Sequence, residues 1–289
     1  MMKVNYEKEL LHLTLQKWLI NKTWMRQKDF EKFIFRKLHL EKFQDSLILQ
    51  LQNCFGDLHG KKVLDIGCGE GGLVVALNLL GINACGIDLN EENIKISQIR
   101  AKKNGLSPAI FKKANSCTLP FDNNSFELVT LISVLEHVED IDKTLSEVSR
   151  VLKKGGYLFA IVPNKYYPIE GHVNLWFVHW LPSYIRRVIL DTLRKEKAKS
   201  LNYLEDINYL GPAQWYKLLF SYFSRWYDVR NITFENVVYG FKKTESSSSK
   251  IMNCFKHIAF KTSKYPLLKA LVFQLYKYFQ PRIYLIARK

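Results

Sequence analysis

The chain of 289 residues has no apolar run long enough to cross a bilayer as a helix, which argues against an integral membrane protein. It has little cysteine: Cys54, Cys68, Cys85, Cys117 and Cys254 are scattered, with no C-x-x-C pair among them. That pattern excludes a disulfide framework and a zinc site and suits a reducing compartment. The first residues mix Lys3, Glu7, Lys8 and Glu9 with apolar side chains, so they do not read as a signal peptide. Together these absences predict a cytoplasmic protein. Acidic residues are also scarce, 27 against 43 lysines and arginines, for a net charge of +16. None occurs after Glu245. At 47% hydrophobic residues the chain can still bury a large core.

What is present is concentrated at Val63-Leu64-Asp65-Ile66-Gly67-Cys68-Gly69-Glu70-Gly71-Gly72. A short apolar run ends in closely spaced glycines, and a helical pattern begins at Leu73. This reads as strand, tight turn and helix start, where bare backbone and unpaired N–H groups can meet a ligand. Gly67, Gly69 and Gly72 also satisfy G-x-G-x-x-G, the dinucleotide fingerprint. Asp65 argues against that reading. A carboxylate at the strand end repels a pyrophosphate and attracts an ammonium group.

Further motifs follow in order. The strand Ala84-Cys85-Gly86-Ile87-Asp88 ends in a second acid, then come Ala114-Asn115-Ser116 and Leu119-Pro120-Phe121. Phe126–Ile132 is a buried strand followed by Ser133-Val134-Leu135-Glu136-His137-Val138. Ile141–Leu152 has helical spacing with Gly155-Gly156 as its stop, and Tyr157–Val162 is a strand closed by Pro163. The alternation of strand and helix predicts a doubly wound sheet.

Over about residues 60–165 these motifs resemble the class I S-adenosylmethionine-dependent methyltransferases, in the subgroup that acts on quinones, sterols and small molecules. The resemblance implies an α/β, Rossmann-like, doubly wound sheet of about seven strands with an antiparallel last strand. It implies S-adenosyl-L-methionine as cofactor. Asp65, Gly67, Cys68, Gly69 and Gly71 match the loop around its methionine part. Asp88 matches the acid that accepts from both ribose hydroxyls, and Leu89 the residue that packs on adenine. Asn115 stands where the family usually has Asp, next to Ser116, and an amide oxygen can still accept from the adenine amino group. Ser133 opens the segment that lines the cofactor. The plainer readings are that Asp65 and Asp88 cap strands, Asn115 is a turn residue, His137 orients its neighbours, and Trp176 and Trp180 pack.

The resemblance divides the chain into an N-terminal helical cap (1–58), a cofactor-binding core (59–165), a substrate lid (166–209) and a C-terminal part of the sheet (210–289) that carries a basic aromatic helical insertion. Gly211-Pro212 is expected to open a helix to about Phe223, with strands near Ile232–Tyr239 and Arg282–Ala287 and a linker at Ser246–Ser249.

An activated sulfonium methyl needs an aligned nucleophile, and a hydroxyl nucleophile needs a base. In the lid, His172 is the first candidate base, Glu170 its orienter or alternate, and His137 the second candidate. The expected acceptor is a small molecule, a glycan or a lipid-linked group, methylated on oxygen. The positive charge suits either nucleic acid or an anionic membrane. Between Ser246 and Lys289, seven lysines and two arginines interleave with Phe255, Phe260, Tyr265, Phe273 and Tyr276, which favours peripheral contact with an anionic membrane. An RNA methyltransferase is the alternative, but Ser133-Val134-Leu135-Glu136 replaces the Asn/Asp-Pro-Pro-aromatic motif of base methylation. A non-catalytic cofactor-binding module is a further alternative, and the two acids and the glycine loop argue against it.

Overall fold

The computed structural model describes residues 5–19, 27–170, 175–189, 207–228 and 281–289. Three helices come first, α1 (Tyr6–Leu19), α2 (Gln27–Leu38) and α3 (Asp45–Phe55), with a 3-10 turn at Leu40–Phe43. Strands and helices then alternate: β1 (Lys62–Ile66), α4 (Gly72–Leu79), β2 (Asn83–Asp88), α5 (Glu91–Lys103), β3 (Phe111–Lys113), β4 (Phe126–Ile132), α6 (Ile141–Val151) and β5 (Leu152–Pro163). A hairpin of β6 (Ile169–Glu170) and β7 (Leu175–Trp176) follows, then a 3-10 turn at Val178–Trp180 and a short helix α7 at 183–189. The described chain ends with α8 (Pro212–Phe220), β8 (Arg225–Asp228) and β9 (Arg282–Arg288).

Seven strands form one sheet in the order β3-β2-β1-β4-β5-β9-β8. The first five are parallel, and β9 runs antiparallel to both of its neighbours. The doubly wound sheet with an antiparallel last strand is therefore the fold that forms. Its central strands are buried on both faces, which is why β1 and β4 read as continuous apolar runs. Leu64, Ile66, Val129, Leu131 and Leu158 pack on one face against α6 and α8, through Leu145, Val148 and Trp215. Val63, Leu128, Phe159 and Ile161 pack on the other against α3 and α4, through Leu51, Val74 and Leu77.

Local chemistry fixes the helix ends. The Asn90 side chain accepts from the N–H groups of Glu92 and Asn93 at the start of α5, and Asp140 accepts from Lys143 N at the start of α6. Glu91 and Glu92 occupy the first turn of α5, and Arg100, Lys102 and Lys103 its last, each complementing the helix dipole.

Three elements depart from the expected boundaries. Helix α6 passes into β5 at Leu152 without a break, so Gly155-Gly156 is not a helix stop but an irregularity inside the strand. Gly155 N donates to Lys289 O, and Lys289 N to Gly156 O, both at 3.0 Å. Helix α8 ends at Phe220, short of Phe223. The penultimate strand lies at Arg225–Asp228; the expected strand at 232–239 and the serine run at 246–249 are outside the described residues.

Besides apolar packing of α1 and α3, one buried cation ties the N-terminal helices to the core. Arg100, on α5, is fully buried. Its guanidinium donates to Glu70 O and Lys37 O, both at 2.7 Å, to Leu38 O at 3.1 Å and to Glu41 Oε2 at 3.0 Å. Glu70, inside the glycine turn, is itself buried, and its carboxylate meets Lys37 at 3.3 Å and Lys17 at 3.4 Å. Removing one member of such a network leaves the others as uncompensated buried groups. Arg100→Leu is therefore expected to cost about 3–5 kcal/mol in urea unfolding; a loss below about 1 kcal/mol would show that the network does not hold the helices in place.

Candidate active site

The strand order reverses between β1 and β4, and ligands of such sheets bind outside the carboxyl ends of the strands at that point. The glycine turn leaves β1 there. Gly67, Gly69 and Gly71 have φ of +67°, +53° and +79°. At Gly67 a Cβ would come within 2.4 Å of Val134 Cγ2, so the turn and the segment after β4 touch across the switch point. At Gly69 a Cβ would meet nothing within 4 Å, so this backbone borders open space. Gly69 N donates to Asp88 Oδ2 at 2.8 Å.

Asp65, at the end of β1, is 4% exposed. Among the described residues it accepts one hydrogen bond, from Thr130 Oγ1 of β4 to Oδ1 at 2.6 Å. Burial pushes its acid up to about 7, against the lowering effect of Thr130, and repulsion from Asp88 adds to the rise. A carboxylate so poorly solvated is a natural partner for a cation. Asp88 is held differently. Its Oδ1 accepts from Asn90 N at 2.8 Å and from Asn93 Nδ2 at 3.1 Å, and its Oδ2 takes Gly69 N–H. These bonds fix the carboxylate plane at the rim of the cradle and leave Oδ2 a further lone pair.

The other expected cofactor residues lie at the same sheet edge, in varied states. Leu89 is 65% exposed, an apolar side chain at the rim. Cys68 is buried, and burial together with Asp65 and Asp88 raises its thiol far above the usual range, so it is an inert apolar filler. Asn115 makes the plainer turn interaction, accepting Cys117 N at 2.8 Å. The Ser116 hydroxyl bonds Thr144 Oγ1 of α6 at 3.0 Å. Ser133 has a left-handed φ of +57°, a strained conformation for a residue with a side chain, and its N–H donates to Ile161 O.

The segment after β5, expected to be a lid, carries its own polar centre. Glu170 is buried, and its Oε1 accepts the Tyr209 hydroxyl at 2.7 Å. Burial and this bond raise the Tyr209 phenol further above its ordinary value. His172 lies outside the described residues, so its expected pairing with Glu170 has no geometry here. His137 is exposed, at the end of the segment that starts at Ser133.

Sequence reasoning missed His179. It is buried and packs its ring 5.2 Å from that of Tyr209. Its Nε2 lies 3.0 Å from Lys165 O, which requires a hydrogen on that nitrogen, and burial lowers its pKa, so it is a neutral imidazole. Trp180 Nε1 donates to the same carbonyl at 2.6 Å. The Glu70 network was also missed. Nothing local in the glycine motif shows that its central carboxylate meets Lys17 and Lys37, more than 30 residues away.

Two sizeable clefts flank the sheet. One, of about 670 Å³, opens between Lys62, Phe121 and Arg150 at the opposite, amino-terminal edge, away from the glycine turn. The other, of about 660 Å³, is lined by Lys165, Tyr166, His179, Trp180, Arg186 and Tyr209, among others, just past the carboxyl end of β5. Its lining residues Ile207 and Tyr209 flank Asn208, which bonds the segment after β4. Val134 touches Gly67, while Asn208 N donates to Glu136 O at 2.8 Å and Asn208 Nδ2 to Val138 O at 3.1 Å.

The pH dependence of stability follows from Asp65. In the unfolded chain its acid titrates near 4, and in the folded chain near 7. Folding keeps a proton between those values, so this contribution is whole below about pH 4 and lost as the pH rises through about 7. Asp65→Asn is therefore expected to be more stable than the parent at pH 8, by on the order of 4 kcal/mol, and no more stable at pH 4. Urea midpoints at the two pH values check this; an equal effect at both would place the acid's titration elsewhere.

Residues 64–160 match the family model described as a methyltransferase domain. The chain is 29% identical over 189 residues to the ubiquinone biosynthesis O-methyltransferase of Pelagibacter ubique, an alignment over 61% of this chain and 77% of that protein. It is 36% identical over 129 residues to a ubiquinone/menaquinone biosynthesis C-methyltransferase of Bartonella henselae, covering 42% and 49% of the two chains. Other ubiquinone biosynthesis O-methyltransferases are aligned over about half their length, as in Brucella anthropi, at 31% identity and 50% of that protein. Among solved structures, phosphoethanolamine N-methyltransferase 2 of Haemonchus contortus superposes with a TM-score of 0.50 at 17% identity, over 85% of this chain and 52% of that one, and shares its fold.

Proposed function

We propose that this chain, a class I S-adenosylmethionine-dependent methyltransferase of the small-molecule subgroup, methylates an oxygen of an acceptor with an apolar body, such as a quinone precursor or a lipid-linked or glycan hydroxyl. The observation that carries the reading is Asp65, a buried carboxylate beside bare glycine backbone at the switch point of the sheet. That arrangement fits a cofactor with a cationic methionine end, and S-adenosylmethionine supplies a positively charged sulfur whose methyl is already activated. Asp65 faces the ammonium group. Gly67, Gly69 and Gly71 form the loop wall, with Cys68 filling the space behind it.

Asp88, braced by Gly69, Asn90 and Asn93, takes the ribose hydroxyls, and Leu89 covers the adenine. Asn115 already spends one lone pair on Cys117 N, and its second accepts from the adenine amino group. Ser116 and Ser133 line the same face. Asp88→Ala is expected to weaken S-adenosylmethionine binding by about 1.5–3 kcal/mol in calorimetry, the scale of hydrogen bonds to a charged group; unchanged affinity would remove the ribose assignment.

Oxygen as the acceptor atom rests on the O-methyltransferase relatives and on the need for a base in the lid. His172 is the proposed base. It takes the hydroxyl proton as the O–CH₃ bond forms and the S–CH₃ bond breaks, with the electron pair left on sulfur. His137 is the second candidate for this role. Glu170 is committed to Tyr209 and acts by holding the lid on the 207–210 segment. Mass spectrometry of catechol and prenylated phenol probes is expected to show a gain of one CH₂ on oxygen, lost in His172→Ala with cofactor binding retained. Methylation on carbon or nitrogen only, or an unaffected variant, would overturn the assignment.

The proposed site of action is the inner face of the membrane. Among the described residues no helix is long and apolar enough to cross a bilayer. The proposed lid nonetheless exposes Trp176, Phe177, Trp180, Tyr184 and Val188, with the Phe177 ring in tilted contact with Trp176 and Trp180 at centroid distances of 5.7 and 5.0 Å. Aromatic residues beside Arg186 and Arg187 suit an anionic interface. The basic segment expected to serve this role, from residue 246 onward, is outside the described residues as far as 280. Flotation with phosphatidylglycerol vesicles is expected to carry the protein at low salt and to lose it in Trp176→Ser/Trp180→Ser; no flotation of the parent would end this part of the proposal.

A further inference from the structure

We infer that the cleft past β5 takes an acceptor that carries a carboxylate or phosphate group on its apolar body, with Lys165 and Arg186 as the residues that select it. The inference rests on the methyltransferase reading for the word acceptor, and on the cleft alone for the chemistry.

The cleft is two-sided. Tyr166, Trp180, Leu181, Pro182 and Ile207 line it with apolar surface, and Lys165 and Arg186 add two cations to the lining. Among the described residues neither cation has a side-chain hydrogen bond or an ion pair, although both are partly buried. Several other cations of the chain have a carboxylate partner: Lys17 and Lys37 meet Glu70, Arg100 meets Glu41, Arg150 meets Glu147 and Lys153 meets Glu127. Two buried carboxylates lie near Tyr209: Glu170, which takes its hydroxyl, and Glu136.

The charge of Arg186 reaches into the cleft. It opposes protonation of His179 and favours loss of the Tyr209 proton, although both groups keep their neutral forms. Neutral His179 and Trp180 both donate to Lys165 O, so the backbone that carries Lys165 is fixed from two directions. A guanidinium and an ammonium group lining one largely apolar cleft match an anion attached to an apolar body. An uncharged acceptor would leave both cations without an ion-pair partner among the described residues. The neighbouring segment 207–208 is tied to the strand-end residues that touch the glycine turn, so a molecule seated here lies on the cofactor's side of the sheet.

The test uses the full chain and three probes below their aggregation limits: dodecyl phosphate, dodecanol and inorganic phosphate, each titrated calorimetrically, with S-adenosylmethionine titrated in parallel. Dodecyl phosphate is expected to bind at least tenfold tighter than either of the others. Arg186→Gln and Lys165→Gln should each weaken dodecyl phosphate about tenfold and leave dodecanol and S-adenosylmethionine unchanged. Equal binding of dodecanol, equal binding of inorganic phosphate, or indifference to both substitutions would overturn the inference. So would a loss in Arg186→Gln of binding to phosphatidylglycerol vesicles but not to monomeric dodecyl phosphate, since the cations would then serve the membrane surface. Binding of dodecyl phosphate by a parent protein that fails to bind S-adenosylmethionine would uphold the cleft chemistry and sink the methyltransferase reading instead.

Discussion

A carboxylate buried between two parallel strands is the constraint around which this molecule is arranged. Asp65 sits near the end of β1 and, among the described residues, its side chain accepts a single hydrogen bond, from Thr130 on the neighbouring strand. Burying an acid with so few donors costs stability, and its raised pKa is the measure of that cost. A structural residue at this position would be better served by an apolar or amide side chain. The acid makes sense as one half of an interaction whose other half is a cation brought by a ligand. The glycine turn beside it follows the same logic, because bare backbone with positive φ turns sharply next to that carboxylate without adding side chains around it.

The turn is gripped from both sides. On one side Gly69 N is held by Asp88, and on the other the Glu70 side chain points away into a nest of Lys17, Lys37 and Arg100. The N-terminal helices therefore do more than cover the core. They supply counter-charges to the loop that forms the cradle wall, and Arg100 carries the connection from α5 to the backbone of α2.

Much of this was legible in the sequence, for identifiable reasons. Central parallel strands announce themselves as short apolar runs, and the positions of β1, β2 and β4 follow directly from Val63–Ile66, Ala84–Asp88 and Phe126–Ile132. The glycines and the two acids are local motifs, so the cradle was readable too. The short edge strand β3 was not, since three residues carry almost no periodicity. The boundary at Leu152 failed because Gly155-Gly156 resembles a stop signal, whereas its flexibility is used for an irregular pairing with Lys289. Side chains whose roles depend on distant partners were illegible: Glu70, Arg100, and above all His179, whose neighbours Lys165 and Tyr209 come from both ends of the lid.

The lid and the cradle meet at the segment after β4, where strained Ser133 and Val134 lie between them. Positioning a methyl donor against an acceptor is a matter of this shared wall, but the donor must first be held. The most direct test of the account is the dissociation constant of S-adenosylmethionine measured calorimetrically between pH 6 and 8. If Asp65 must be ionised to meet a cationic group, affinity rises with pH, by up to about tenfold per unit below its titration point, and levels off above it. The rise vanishes in Asp65→Asn. Affinity in the parent that is flat or falls over this range would contradict the central claim.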